Sequence, residues 1–112
     1  MKSGIISNHE LDPLWGTRLL GIRFDANHVG ACFELFWTTG EEKQFASLHF
    51  EGIHYTRFEF NTLAEHEVVE LISIEAESCV LGIRLFGELS NGTFEVVCVG
   101  FRVSQKDAHH AA

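Results

Sequence analysis

From Arg18 onward the chain alternates apolar and polar residues at the period of a pleated strand. Leu20, Ile22 and Phe24 fall on one face and Leu19, Gly21 and Arg23 on the other, which predicts a strand from Arg18 to Asp25. Asp25-Ala-Asn-His28 reads as a turn. From Ala31 to Thr38 both faces are apolar, Phe33, Leu35 and Trp37 against Cys32, Glu34 and Phe36, so a strand central to its sheet is expected. Gly40-Glu-Glu-Lys43 closes a hairpin onto Gln44 to Phe50, where Ala46, Leu48 and Phe50 alternate with Phe45, Ser47 and His49.

Beyond Glu51-Gly52, Ile53 to Phe60 is rich in β-branched and aromatic residues and predicts a further strand, with Thr56, Phe58 and Phe60 on one face. Asn61-Thr62 has the polar oxygens to cap a helical turn through Leu63-Ala-Glu-His66. Val68 to Glu77 fits two periods. Ala64, Val68, Leu71 and Ile72 make a helical stripe, whereas Ile72, Ile74 and Ala76 alternate with Ser73, Glu75 and Glu77. The strand is preferred because Val and Ile favour a pleated surface. Cys79 to Leu89 alternates again, Ser90-Asn-Gly92 carries a strong hairpin signal, and the closing run Phe94-Glu-Val-Val-Cys-Val-Gly-Phe-Arg-Val103 completes the pattern with Gly100 a candidate bulge.

About seven strands at short spacing, with at most one short helix, predict a mainly β protein: a single-domain antiparallel β-sandwich or a partly open β-barrel. The 112 residues, 46% hydrophobic and 12% aromatic, suffice for one core. The domain is expected to span residues 1–104, with a polar tail over 105–112. Eight basic against sixteen acidic residues give a net charge of −8, which disfavours nucleic acid and anionic membranes and favours a basic partner. The same charge also serves solubility alone. Cys32, Cys79 and Cys98 are odd in number and sit in apolar runs, which fits a reducing, cytoplasmic setting. Met1-Lys-Ser-Gly-Ile-Ile-Ser-Asn lacks the apolar stretch of a secretory signal, and no run approaches the ~18 apolar residues of a membrane span.

Catalytic chemistry finds little foothold. His49 and His54 are the nearest suggestive metal pair, but no second cluster completes a site, and the cysteines lack Cys-x-x-Cys spacing. Glu41-Glu42 and Glu75 with Glu77 read as solvated charge rather than as an acid and base pair. No nucleophile elbow or phosphate loop is present. No catalytic residue, metal or cofactor is expected.

One segment is one-signed. From Asn61 to Val80 there are five glutamates, Glu65, Glu67, Glu70, Glu75 and Glu77, and no lysine or arginine. Such a patch attracts a basic surface and accelerates encounter with it. It equally suits an outer face with no partner. Among the aromatic residues that commonly anchor interfaces, Trp37 lies in a two-sided apolar strand, whereas Trp15 in Pro13-Leu-Trp-Gly16 is the better exposed candidate. Trp15 and the five glutamates are therefore the candidate partner-binding residues.

The order of segments resembles that of small β-rich immunity proteins of bacterial polymorphic toxin systems and related uncharacterised proteins. The resemblance rests on the Trp15 entry into Leu19-Leu-Gly-Ile-Arg-Phe24, on Leu48-His-Phe-Glu-Gly-Ile53, on the segment leading to Leu71-Ile-Ser-Ile74, and on Gly92-Thr-Phe-Glu-Val-Val-Cys98. Trp15-Gly-Thr17 stands where a His-Asp or similar polar pair would be expected, so no residue role is carried over. The resemblance implies a non-enzymatic inhibitor that covers the active site of a basic toxin domain. A small β-barrel binding an apolar ligand among the ten phenylalanines, and a structural homodimer formed through a sheet edge, remain open beside it.

Overall fold

The computed structural model describes residues 11–25, 29–61 and 68–107, with residues 106 and 107 described by backbone alone. A 3-10 turn, Asp12–Leu14, precedes six strands: β1 (Arg18–Phe24), β2 (Gly30–Thr39), β3 (Glu42–Phe60), β4 (Leu71–Cys79), β5 (Gly82–Leu89) and β6 (Gly92–Asp107). They form one antiparallel sheet in the order β1-β2-β3-β6-β5-β4. The two outermost strands meet at one end. Arg18 bridges to Glu70, Leu19 N–H donates to the Val69 carbonyl at 2.8 Å, and Gly16 and Thr17 exchange backbone hydrogen bonds with Leu71. The sheet is thus rolled into a partly open barrel, the second of the two architectures expected.

Six strands replace the expected seven because Gln44 to Phe50 and Ile53 to Phe60 are a single strand. Gly52 adopts a φ of 64°, where a glycine bends the chain without the penalty a Cβ would bring, and the ladder to β6 continues on both sides of it. The bend changes which residues face inward. Phe50 and Ile53 both pack toward the core, as do their β6 partners Phe101 and Cys98, so Phe101 and Val103 share the face of Phe94 and Val96 rather than the opposite one. The register is unchanged across Gly52 and shifts between Ile53 and Tyr55.

β4 is a strand, as the preference for period two required, but a register shift between Leu71 and Ser73 puts Leu71 in the core and leaves Ile72 outside. The β5–β6 hairpin turns on Ser90 and Asn91, since Leu89 pairs with Gly92. Gly92 has no positive φ; a Cβ there would collide with the Glu59 carbonyl oxygen of the neighbouring strand. β6 runs on to Asp107, where Gln105 and Asp107 pair with Ala46 and Gln44. The helical turn expected around Leu63 to His66 lies outside the described residues.

The interior is filled by side chains. Phe33 packs edge-on against Phe50 and Phe94 with ring centroids 5.0 and 5.2 Å apart, an arrangement that places the positive ring edge on the negative face. Leu35, Leu48, Ile74, Leu85 and Val96 complete the layer, and Leu11 and Leu14 from the N-terminal turn are buried against it. Cys98 faces this interior, and its burial pushes the thiol pKa up to about 11. Cys32 is also buried, whereas Cys79 is only half-buried near a hairpin. Among the described residues no helix is long and apolar enough to cross a membrane.

Candidate functional site

The outer face of β3, β6, β5 and β4 gathers five glutamates and two arginines. Strand pairing stacks it in rows. Tyr55, Val97, Arg84 and Glu77 form one row, Arg57, Glu95, Phe86 and Glu75 the next, and Glu59, Thr93, Glu88 and Ser73 the third. The second and third rows, with Arg84, line a groove of about 540 Å3. Its lining holds Glu59, Glu75, Glu88 and Glu95 against Arg57 and Arg84, so carboxylates outnumber guanidiniums by two, 4 − 2 = 2.

The arginines are already committed. Arg57 pairs with Glu59 at 2.6 Å. Arg84 sits centrally, donating to Glu95 at 2.5 Å and to Glu77 at 2.8 Å while its guanidinium lies 4.2 Å from the centroid of the Phe86 ring. The carboxylate of Glu95 and then that of Glu77 raise the Arg84 pKa, against a lowering by burial, so its positive charge is fixed at every accessible pH. Glu75 and Glu88 take part in no ion pair with another described residue. They are the open acceptors of the groove, facing one another diagonally across β4 and β5.

Of the residues singled out from sequence, Glu75 and Glu77 belong to this face. Glu77 is not a free carboxylate, because Arg84 stands directly opposite it on β5. Glu70 lies elsewhere, at the seam where β1 meets the start of β4, beside Gly16, Arg18, Phe36, Trp37 and Thr38. Its backbone N–H donates to the Ser90 hydroxyl at 2.9 Å. Trp15 is 45% exposed, yet its indole N–H donates to the Ile74 carbonyl at 2.9 Å, so the ring lies along the outer edge of β4. Glu65 and Glu67 lie outside the described residues. The described part of the one-signed segment is therefore divided between two places, and its charge is partly answered by an arginine from the adjoining strand.

Glu59, Glu88, Glu95, Arg57, Arg84 and Phe86 were missed. The signal for them was the alternation itself: the Cys79 to Leu89 and Thr93 to Val103 patterns put Arg84, Phe86 and Glu88 opposite Val97, Glu95 and Thr93 once the hairpin register is known. Charge counted along one segment does not see across strands.

A second polar cluster lies on the outer face of β1, β2 and β3. Glu34 accepts from Arg23, from the Ser47 hydroxyl at 2.9 Å and from the Cys32 thiol at 3.5 Å. Partial burial pushes the Glu34 pKa up, but the hydrogen bonds from Arg23, Ser47 and Cys32 outweigh it and hold the carboxyl below its ordinary range. Burial and the adjacent Glu34 together raise the Cys32 pKa, which keeps the sulfur a thiol and removes it from nucleophilic chemistry near neutral pH. His49 stands opposite Cys32 on β3 and His54 lies past the bend, so the two histidines are not gathered. No group of three or more His, Cys, Asp or Glu side chains with metal-binding geometry occurs among the described residues.

Fold and surface together define a small antiparallel β protein, a partly open barrel with an acidic groove on its outer face. Comparison with protein-family models, with curated proteins and with solved structures finds no match to this chain.

Proposed function

We propose that this protein is a non-enzymatic binding protein, an immunity protein that inhibits a basic toxin domain by seating it against the outer face of β3, β6, β5 and β4. The observation that carries the reading is the pair of unanswered carboxylates, Glu75 and Glu88, in a groove whose arginines are spent on Glu59, Glu77 and Glu95. Lysine or arginine side chains of a partner would find acceptors there, and the net charge of −8 would draw such a partner in from a distance. The carboxylates would occupy positions that substrate phosphates take in a nuclease-type toxin site. The loose immunity-protein pattern in the sequence points the same way. An apolar-ligand barrel has less support, because Phe33, Phe50 and Phe94 pack on one another rather than around a space.

The test is a pull-down from lysate of the source cells with the folded protein as bait, repeated over a salt series, with retained proteins identified by mass spectrometry. A basic toxin-like protein that is retained at low salt, is released as salt rises and is lost with Glu75→Lys/Glu88→Lys supports the reading. Retention of nothing specific by folded bait, or of a partner indifferent to salt and to both substitutions, contradicts it.

A further inference from the structure

The β4–β5 hairpin turns on two residues, Val80 and Leu81, because Cys79 pairs with Gly82. Two-residue hairpin turns ordinarily use Gly, Asn, Asp or Ser, whose backbone freedom or short polar side chains suit the geometry and face water at little cost. This turn instead presents a valine that is 100% exposed and a leucine that is 54% exposed. Neither exposure is explained by packing among the described residues. Beside the turn stands Val99 of β6, 63% exposed.

Two glycines keep this end of the barrel low around Val99. A Cβ at Gly82 would lie 2.5 Å from the Cys98 carbonyl oxygen and 3.3 Å from the Val99 Cα, and a Cβ at Gly52 would lie 2.6 Å from a Val99 methyl. Both glycines also hold positive φ values, 134° and 64°, which L side chains rarely adopt. The result is an apolar platform of Val80, Leu81 and Val99 with half-buried Val97 and exposed Tyr55 along its inner margin.

The platform is continuous with the acidic groove. Val97 and Tyr55 occupy the same cross-strand row as Arg84 and Glu77, and the Cys79–Gly82 pair is two residues further along, roughly 7 Å at the rise of a strand. An apolar centre bordered by charge is the usual anatomy of a protein–protein interface, in which a few buried apolar anchors supply affinity and the charged margin supplies rate and register. We propose that the Val80-Leu81 tip with Val99 is the apolar anchor of the same interface, and that it inserts into a hydrophobic socket beside the basic surface of the partner protein. The inference rests on the reading of the groove as a protein-binding face. The open carboxylates of the groove, Glu75 and Glu88, decide the partner's chemistry: at the rise of a strand they lie roughly 13 Å or more from the Cys79–Gly82 pair, so the partner's Lys or Arg must stand that far from its socket. A second copy of this chain is disfavoured as occupant, since it would bring a second groove with the same excess of carboxylates against this one.

The variant is Val80→Ser/Leu81→Ser, two exposed positions whose replacement leaves the core untouched; circular dichroism melting checks that it stays folded. The probe is the basic protein retained by wild-type bait, purified and titrated over a salt series. The expected result is a loss of about tenfold or more in affinity with the slope of log Kd against log salt unchanged, since no charge is removed. Glu75→Lys/Glu88→Lys should instead flatten that slope. Affinity of the tip variant within about twofold of wild type, while the charge variant loses binding, overturns the anchor and leaves the groove reading standing. Failure of the wild type to retain any basic protein removes both. Two further outcomes reassign the tip and overturn the proposal: a doubled solution mass abolished by the tip variant, or cosedimentation with phosphatidylcholine vesicles abolished by it.

Discussion

Glu34 shows how one side chain joins three strands. It lies on β2 and accepts from Arg23 of β1 and Ser47 of β3, so its ionised form is tied to the native arrangement. Because its pKa is depressed in the folded state, its contribution is present above the unfolded value and is lost as pH falls through the folded one. Glu34→Gln should therefore flatten the decline in melting temperature below about pH 4, and an unchanged decline would show that the carboxylate is not linked to folding. Gly92 makes a different residue-scale case. Its Cβ-free backbone lets β6 start against the Glu59 carbonyl, with Phe60 Cα also only 2.9 Å from where a Cβ would stand. Gly92→Ala should cost about 2 kcal/mol or more in denaturant unfolding, whereas a change below about 0.5 kcal/mol would mean the strands separate freely there. Asn91-Gly92 was legible as a hairpin marker, but the reason was not. The turn sits one residue earlier, and the glycine answers a close approach from a strand more than thirty residues away, which local turn chemistry does not report.

At the scale of elements, alternation was a reliable guide wherever one face is buried. β1, β2 and β6 start within one residue of where the pattern starts, and β4 took the period-two reading because Ile74 and Ala76 point into the core between Glu75 and Glu77, but β5 starts at Gly82 rather than Cys79, because Cys79 ends β4 and Val80-Leu81 form the turn. It failed where backbone irregularity resets the face. The Gly52 bend kept as one strand what Glu51-Gly52 had divided into two, and the bulge near Leu71 put Ile72 outside. Closure of the barrel was also hidden, since it rests on backbone hydrogen bonds donated by Gly16 and Leu19 and accepted by the Thr17 carbonyl, which carry no side-chain signature. Trp15 belongs to that closure. Its exposure made it a candidate anchor, but its indole N–H satisfies the outward Ile74 carbonyl and so shields an edge strand that would otherwise offer itself for pairing. Trp15→Phe retains the ring and removes the donor, and should lower stability by about 0.5–1.5 kcal/mol in urea unfolding. An effect near zero would leave the indole N–H without a structural role and return Trp15 to the binding surface.

For the whole molecule, the acidic excess was plain in the composition, but its placement was not. Segment counting put the charge on residues 61–80; the sheet instead collects Glu59, Glu75, Glu88 and Glu95 from four strands and sets Arg57 and Arg84 among them. The solvent-screened ion pairs so formed contribute little to stability, and Glu75 and Glu88 are in none of them, so reversing both should leave the fold intact. That separation of binding from folding makes the central claim accessible to one measurement: calorimetric titration of the retained basic partner into wild-type protein and into Glu75→Lys/Glu88→Lys, from about 0.05 to about 0.5 M salt. Wild-type affinity that falls steeply with salt, together with a folded variant that has lost most of its low-salt affinity and its salt dependence, is the predicted result. Equal affinity and equal salt slope for the two proteins would place the partner on some other surface and contradict the account.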